Sequence, residues 1–342
     1  MRNLLRIFLL AVAFAALQLT VPAWAFIQER ITATLPVRWN LATPQPNVSG
    51  GKVVYIINSR GSQGGAFDAL TTAVDSAFGA WRLANGSVID FVRVADPNTG
   101  TSGTTPNRKD RTNVVYWDED PRKTAFMLPT MTAAAAFRDL NPTTGEILDA
   151  DVVLNASQFL WTVGSDGNFT TLTGPVDIQQ AMTSSIGGFI GLNLVPTAGS
   201  VMSAFDYPGS TSRYLLTSDE RAAVLDVYPP SPNPPVTSIS GQVTRSGSPV
   251  FGAYVVAFQN GLPVVGAVAD HNGNYSIRRL PNSTPASYVV RALTMGPPPG
   301  SPFYAAPDNN FLSEVYLDSS VDPPGTLVTA TPGVDTPGIN LA

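Results

Sequence analysis

The sequence contains no cysteine and a single histidine, His271, among its 342 residues. Without cysteine the chain can form no disulfide bond, no thiolate metal site and no cysteine nucleophile. One imidazole cannot supply a site that needs two or three histidine ligands from one chain. Charged residues make up 13% of the chain, about half the usual share of about 25%. These absences exclude thiol chemistry and metal sites with several histidines.

The charge balance argues against two classes of partner. The formal net charge is −5, and the sequence has no run of lysine or arginine. Nucleic acids and anionic membranes attract basic patches, so we expect neither as a partner. Beyond the N-terminus, no segment is long and apolar enough to span a membrane.

Residues 1–25 have the pattern of a secretory signal peptide. Arg2 and Arg6 precede an apolar run over Ile7–Leu17, and Ala23 and Ala25 form a small-x-small cleavage pattern. We therefore predict cleavage after Ala25 and a secreted or periplasmic protein.

A proline-rich segment at 229–236 divides the rest of the chain. Such a segment favours an extended, semi-rigid spacer. Upstream, over 26–228, strand and helix patterns are mixed, whereas 237–342 contains strand and turn patterns only. The predicted fold class is an α+β domain, a mixed sheet packed with helices, followed by an all-β sandwich domain.

Several elements of the first domain are predicted from their periodicity. Lys52–Asn58 is apolar and β-branched, which is typical of a strand, and a turn at Asn141–Gly145 leads into another predicted strand, Ile147–Asn155. Helical spacing of apolar residues predicts a helix over Phe67–Trp81 and another over Val176–Leu194. Thr217 and Glu220 form a capping-box pattern that predicts a third helix. In the second domain, His271 lies in a predicted hairpin turn.

Segments in this order resemble a bacterial matrixin-type metzincin, a family of zinc peptidases. They are Arg38–Trp39, Ala73–Trp81, Ile89–Phe91, Thr144–Asn155, Asp177–Gln180, Gly199–Met202 and Leu216–Tyr228. In the second domain, Gly241–Val243, Gly252–Val255, Gly273–Ile277 and Leu280–Pro281 resemble the carboxypeptidase regulatory-like, or transthyretin-like, repeat. The first resemblance implies a metzincin-like fold, and the second an accessory β-sandwich.

The catalytic motif of that family, HExxHxxGxxH, falls on Ser184–Leu194. Its three histidine positions hold Ser184, Gly188 and Leu194, and its glutamate position holds Ser185. The turn glycine, Gly191, and the methionine of the Met-turn, Met202, match. The resemblance therefore implies a pseudo-metallopeptidase with no catalytic residue, no metal and no cofactor.

Other donors leave a rebuilt metal site open as an alternative. Asn193, Asp206, Asp149 and Asp151 could supply oxygen ligands, which suit a hard cation such as Ca²⁺ better than zinc. Solvated carboxylates in turns and strands are the more common arrangement. A metallopeptidase with unorthodox ligands is accordingly the rival hypothesis from the enzyme class.

The leading functional hypothesis is a protein that binds another protein or a peptide. The resemblance makes Thr144–Asn155 an edge strand beside the cleft, with Asp149, Asp151 and Asn155 on it, and an edge strand can pair with an extended peptide. A structural or adhesive surface protein is a further alternative. Strand aromatics such as Tyr254 and Tyr275 would suit carbohydrate stacking, but such residues more often serve cross-strand packing.

Overall fold

The structure is a computed structural model that describes residues 27–32, 35–62, 66–82, 84–99, 103–119, 132–164, 175–195, 200–203, 213–295, 306–317 and 325–342. The predicted signal peptide, residues 1–25, lies outside the described residues. The fold mixes helices with several sheets and is rich in strands. No helix in the described part of the chain has the length and apolar character needed to cross a membrane.

The described chain contains α1 (Phe67–Trp81), α2 (Ile178–Phe189) and α3 (Ser218–Val227), and one short 3₁₀ turn (Ala84–Gly86). Its N-terminal strands are β1 (Ile27–Gln28), β2 (Arg30–Thr32), β3 (Leu35–Pro36), β4 (Val48–Ser49), β5 (Lys52–Ile57), β6 (Phe91–Val94), β7 (Val114–Asp118), β8 (Ala134–Leu140), β9 (Ile147–Asn155), β10 (Trp161–Thr162), β11 (Val176–Asp177) and β12 (Leu192–Asn193).

Six of these strands form a mixed sheet of order β4-β5-β7-β9-β8, with β6 also paired to β5. Strands β5, β7 and β9 are parallel, whereas β4 and β8 are antiparallel to their neighbours. This mixed sheet agrees with the coarse fold class predicted from the sequence.

The prediction that Ile147–Asn155 is an edge strand is wrong. This segment forms β9 with the expected bounds, but it pairs with β7 on one side and with β8 on the other. Strand β8, over Ala134–Leu140, forms the end of the sheet instead. Consequently the backbone groups of Asp149, Asp151 and Asn155 face neighbouring strands, and an added peptide strand cannot pair there.

Helices α1 and α2 pack together on one face of the mixed sheet. The indole nitrogen of Trp81 donates a hydrogen bond to the carbonyl of Thr183, 2.8 Å away. Phe78 and Phe189 meet edge to face, with ring centroids 5.7 Å apart. These fully buried aromatic rings fix the position of α2 relative to α1 and the sheet.

Helix α2 is shorter than the predicted Val176–Leu194. Val176 and Asp177 pair as a strand with β10, and an Asp177 carboxylate oxygen accepts a hydrogen bond from the backbone nitrogen of Gln180, which caps the helix. Beyond Phe189, Gly191 adopts a φ of +95° that reverses the chain into β12. Periodicity alone did not reveal these two ends because the flanking residues are also apolar.

The C-terminal part consists of strands in two main sheets. The strands are β13 (Ser238–Gln242), β14 (Thr244–Arg245), β15 (Ser248–Pro249), β16 (Tyr254–Gln259), β17 (Leu262–Val268), β18 (Asn274–Arg278), β19 (Ala286–Leu293), β20 (Glu314–Val315), β21 (Val328–Ala330) and β22 (Asp335–Thr336). One sheet has the order β18-β13-β22, and the other β17-β16-β19-β20 with β21 also paired to β19. Ile239 and Ile277 of the first sheet share a buried core with Val255 and Val290 of the second.

Helix α3 joins the two parts of the molecule directly. Ala222 of α3 belongs to the C-terminal core, and Met295 belongs to the N-terminal core. The buried Asp219 carboxylate accepts a hydrogen bond from the backbone nitrogen of Gly266 at 3.1 Å, and Asp226 forms an ion pair with Arg278 at 2.8 Å. The two parts are therefore in contact through α3, which directly precedes the proline-rich segment.

We expect Asp219→Ala to lower the free energy of unfolding by about 1.5 kcal/mol, because the buried N–H of Gly266 loses a charged acceptor. Urea unfolding followed by circular dichroism measures this change. Glu119→Ala provides the control, since Glu119 holds its partner Arg60 at a more exposed position. An unchanged unfolding midpoint for Asp219→Ala would show that this contact does not couple the two parts.

Candidate functional site

The free side of β8 is the strongest candidate for a binding site. The backbone nitrogen of Asn155 donates to the carbonyl of Ala133, and the register continues through Ala134 opposite Leu154. In an antiparallel pair, every second residue directs its backbone N–H and C=O groups toward the partner strand. The backbone groups of Ala134, Ala136 and Arg138 therefore point away from β9. In the described part of the chain, no strand pairs with these outward N–H and C=O groups.

The side chains of the same three residues face α2. A Cβ atom added to Gly188 would lie 3.4 Å from the Cβ of Ala136, which places this face of the helix against β8. Ser184 lies one turn before Gly188, and Ser185 is its neighbour; each serine is 8% exposed. We define the β8 groove as the surface formed by Ala134, Ala136, Arg138, Ser184, Ser185 and Gly188.

Arg138 closes one end of the β8 groove. Its guanidinium donates to the carbonyl of Gly188 and forms an ion pair with the nearly buried carboxylate of Glu29. The pair neutralises the one charged side chain of the groove and ties the edge strand to the end of α2. A charged residue on an exposed edge also opposes uncontrolled pairing with other chains.

Gln180 is a site residue that the sequence analysis did not single out. It lies on α2 one turn before Ser184 and is only 1% exposed. Within the described part of the chain, neither its amide nitrogen nor its amide oxygen has a hydrogen-bond partner. Glutamine at the start of a helix is common, so only its burial distinguishes it, and burial is not visible in the sequence.

The residues at the positions of the zinc-peptidase motif do not all lie together. Ser184, Ser185 and Gly188 lie together on α2, as the motif spacing requires. Met202 lies beneath the helix, and a Cβ atom added to Gly187 would meet its sulfur. Leu194, in contrast, follows β12 and is 41% exposed, so it does not join the apolar packing around α2.

Asp149 and Asp151 lie on the face of the sheet opposite α2, side by side on β9. One Asp149 oxygen accepts from the backbone nitrogens of Asp110 and Arg111, and one Asp151 oxygen accepts from that of Val114, all at 3.0 Å. Burial raises the pKa of Asp149 to about 7. Burial, and next the negative charge of Asp149, raise the pKa of Asp151 to about 8. They are remote from the β8 groove.

Asn155, the third predicted peptide-contacting residue, organises the turn after β9. Its amide nitrogen donates to the carbonyl of Thr132, and its amide oxygen accepts from Ser157 and Gln158. These contacts give the residue a local structural role.

A second concavity, of about 270 Å³, lies between α1 and the β5–β6 pair. It contains Lys52, Arg82 and Arg93, but Lys52 and Arg82 pair with Asp90, and Arg93 pairs with Asp75. Because each of these cationic side chains is already paired within the protein, with Lys52 and Arg82 sharing Asp90, the concavity is a weaker candidate than the β8 groove.

In the described residues, no group of three or more histidine, aspartate or glutamate side chains is placed to hold a metal ion. His271 lies in an exposed turn of the C-terminal part, with its ring stacked 3.8 Å from that of Phe251. Asp206, which the sequence analysis considered as a donor, lies outside the described residues.

Comparisons with known proteins correct the family assignment. No known family profile and no curated protein match the chain. Matching solved structures include DUF3823 family proteins from Parabacteroides merdae and Bacteroides ovatus, at 17% and 13% identity, each with a TM-score of 0.18. The matches cover 32% and 31% of this chain, and 45% and 44% of those chains, so less than half of each neighbour is spanned. The assignment to a matrixin-type metzincin followed by a carboxypeptidase regulatory-like repeat is therefore wrong.

Proposed function

We propose that this protein binds an extended segment of another protein along the free side of β8. The observation that supports the proposal is the row of outward backbone groups at Ala134, Ala136 and Arg138, beside a helix face of small residues. An extended peptide gains affinity from main-chain hydrogen bonds to such an edge and gains specificity from alternate side chains.

The small residues of α2 leave room for this partner. Ser184, Ser185 and Gly188 project little beyond the helix backbone, whereas larger side chains there would fill the space beside β8. An added strand would therefore extend the sheet beside β8, and half of its side chains would lie on the face that carries α2. In this proposal the C-terminal sheets, an accessory β-sandwich, stabilise the N-terminal part through α3.

The proposal also includes a location outside the cytoplasm. Its support is the N-terminal pattern of Arg2, Arg6, the apolar run and Ala25. The absence of cysteine is compatible with export, because two buried cores, rather than disulfides, can hold the chain together.

Selection from a phage-displayed library of random 12-residue peptides tests the function. We expect selected peptides to slow hydrogen exchange at the amides of Ala134, Ala136 and Arg138. The amides of Ala135 and Phe137, which already bond to β9, should change little. Exchange measured by NMR at single-residue resolution distinguishes this alternation from binding elsewhere.

Ala136→Pro should weaken the selected peptides by at least about 10-fold, because proline removes an outward N–H donor. Ala136→Ser, which retains the N–H, is the matched control, and circular dichroism checks that both variants fold. Peptides that bind without protecting the three amides, or a library that yields no binder, would contradict the proposed function.

A further inference from the structure

We propose that the segment bound along β8 presents an uncharged hydrogen-bonding side chain, of the asparagine, glutamine, serine or threonine type, to Gln180 and Ser184. This inference rests on the proposed function and names the class of sequence that the β8 groove selects. It is carried by the unpartnered amide of Gln180.

A buried amide without partners is unusual. More than about 90% of buried polar groups are hydrogen-bonded, and each one left unpaired costs about 1–3 kcal/mol. Gln180 has two unpaired amide atoms at 1% exposure. A ligand that supplied a donor and an acceptor would recover this free energy, whereas an apolar ligand would leave it unrecovered.

The position of Gln180 on α2 directs it toward the groove. Residues four apart lie on one face of a helix, so Gln180, Ser184 and Gly188 form a stripe along α2. The contact between Gly188 and Ala136 places the end of this stripe against β8. In the described part of the chain, the hydroxyls of Ser184 and Ser185 make no hydrogen bond, which adds two partners for a polar side chain.

The charges of the groove favour a neutral ligand side chain. Arg138 is the one charged residue of the groove, and Glu29 and the carbonyl of Gly188 already occupy its guanidinium. A carboxylate or ammonium group beside Gln180 would be buried without a counter-charge, which is far more costly than burying an amide or a hydroxyl. Amide and hydroxyl side chains therefore match the site, and charged and purely apolar ones do not.

The experiment selects the same 12-residue phage library on three proteins: the unmodified chain, Gln180→Leu and Gln179→Leu. Gln179 precedes Gln180 on α2 but is less buried, so Gln179→Leu is the matched control. We expect the unmodified protein and the control to select peptides with Asn, Gln, Ser or Thr recurring at one position. Gln180→Leu should select Leu, Met or Val there and should bind the original peptides about 10-fold more weakly.

The other outcomes distinguish failure of this inference from failure of the proposed function. The same consensus on Gln180→Leu, or a consensus without a polar position, would overturn this inference and leave the proposed function standing. No binders on any of the three proteins would contradict the proposed function itself. Gln180→Met is the second variant if Gln180→Leu does not fold, because its unbranched side chain has nearly the shape of glutamine.

Discussion

Asp151→Asn is expected to stabilise the protein at pH 8 and to flatten the dependence of its stability on pH. In the unmodified protein, we expect the free energy of unfolding to fall as pH rises from about 4 to about 7. The variant should show roughly half of that fall. Most proteins are most stable near neutral pH, so a maximum on the acidic side would be a distinctive property.

The sign follows from the pKa values of the two buried aspartates. The pKa of each aspartate is about 3.8 in the unfolded chain, and in the folded protein it rises to about 7 for Asp149 and about 8 for Asp151. At pH values between the unfolded-state pKa of an aspartate and its folded-state pKa, the folded protein binds more protons than the unfolded chain. The contribution of each protonated aspartate to the free energy of unfolding is thus fully present below pH 3.8. It is lost as pH rises to the folded-state pKa, by about 1.4 kcal/mol per pH unit.

Asparagine removes this penalty because it carries no charge at any pH. The pKa of Asp149 is raised by its burial and then by the charge of Asp110, so the share of the pH dependence that comes from Asp149 should remain. The carbonyl oxygen of asparagine can still accept from the backbone nitrogen of Val114, so the native hydrogen bond is retained. The loop over Asp110 and Arg111 should keep its position because its backbone nitrogens donate to Asp149, which the substitution leaves in place.

Urea unfolding at pH 4, 5, 6, 7 and 8 measures the effect. Asp68→Asn, an exposed position in the first turn of α1, is the control and should leave the slope with pH unchanged. Equal slopes for the unmodified protein and Asp151→Asn would show that the buried pair is not protonated in the folded state. Below pH 4 a separate loss is expected, because hydrogen bonds from Thr104 and its neighbours hold the pKa of Asp96 at about 2.

Sequence patterns predicted several elements well where a single local rule applies. Helix α1 has the predicted bounds because its apolar residues repeat at helical spacing. Strand β9 has its predicted bounds because a turn precedes a segment whose apolar residues include Ile147 and Val152–Leu154. The capping box at Thr217 also forms, with a Glu220 carboxylate oxygen accepting from the backbone nitrogen of Thr217 at 3.0 Å.

The order of strands in the sheet could not be predicted in the same way. A buried strand such as β9 has the same apolar composition whether it lies inside a sheet or at its border, so its neighbours decide its role. Strand β8 consists of three alanines followed by mixed residues, which is a weak strand pattern. The groove residue Arg138 contacts Gly188 and Glu29, which lie 50 and 109 residues away, and no local pattern reports such contacts. The burial of Gln180 likewise follows from packing that its own segment does not show.

Gly191→Ala is expected to destabilise the protein by about 3 kcal/mol or more. Gly191 ends the turn after α2 with a φ of +95°, a backbone conformation that alanine adopts only at a cost of about 1–2 kcal/mol. An added Cβ atom would also lie 2.2 Å from the carbonyl oxygen of Val37. Since both sides of this contact are backbone, side-chain rearrangement cannot relieve it, and the hydrogen bond from the nitrogen of Glu29 to the carbonyl of Gly191 would be strained too.

Gly188→Ala is the matched control, three residues earlier in the same segment. Its new Cβ atom would meet only the Cβ of Ala136 at 3.4 Å, and alanine favours a helix by about 1 kcal/mol over glycine. We therefore expect the two variants to differ in sign, with Gly188→Ala equal to or more stable than the unmodified protein in urea unfolding. If both alanine variants proved equally stable, the close approach of Gly191 to Val37 would not be needed to end α2. The contrast thus separates the helix, which tolerates a side chain, from the turn that positions its end beside β8.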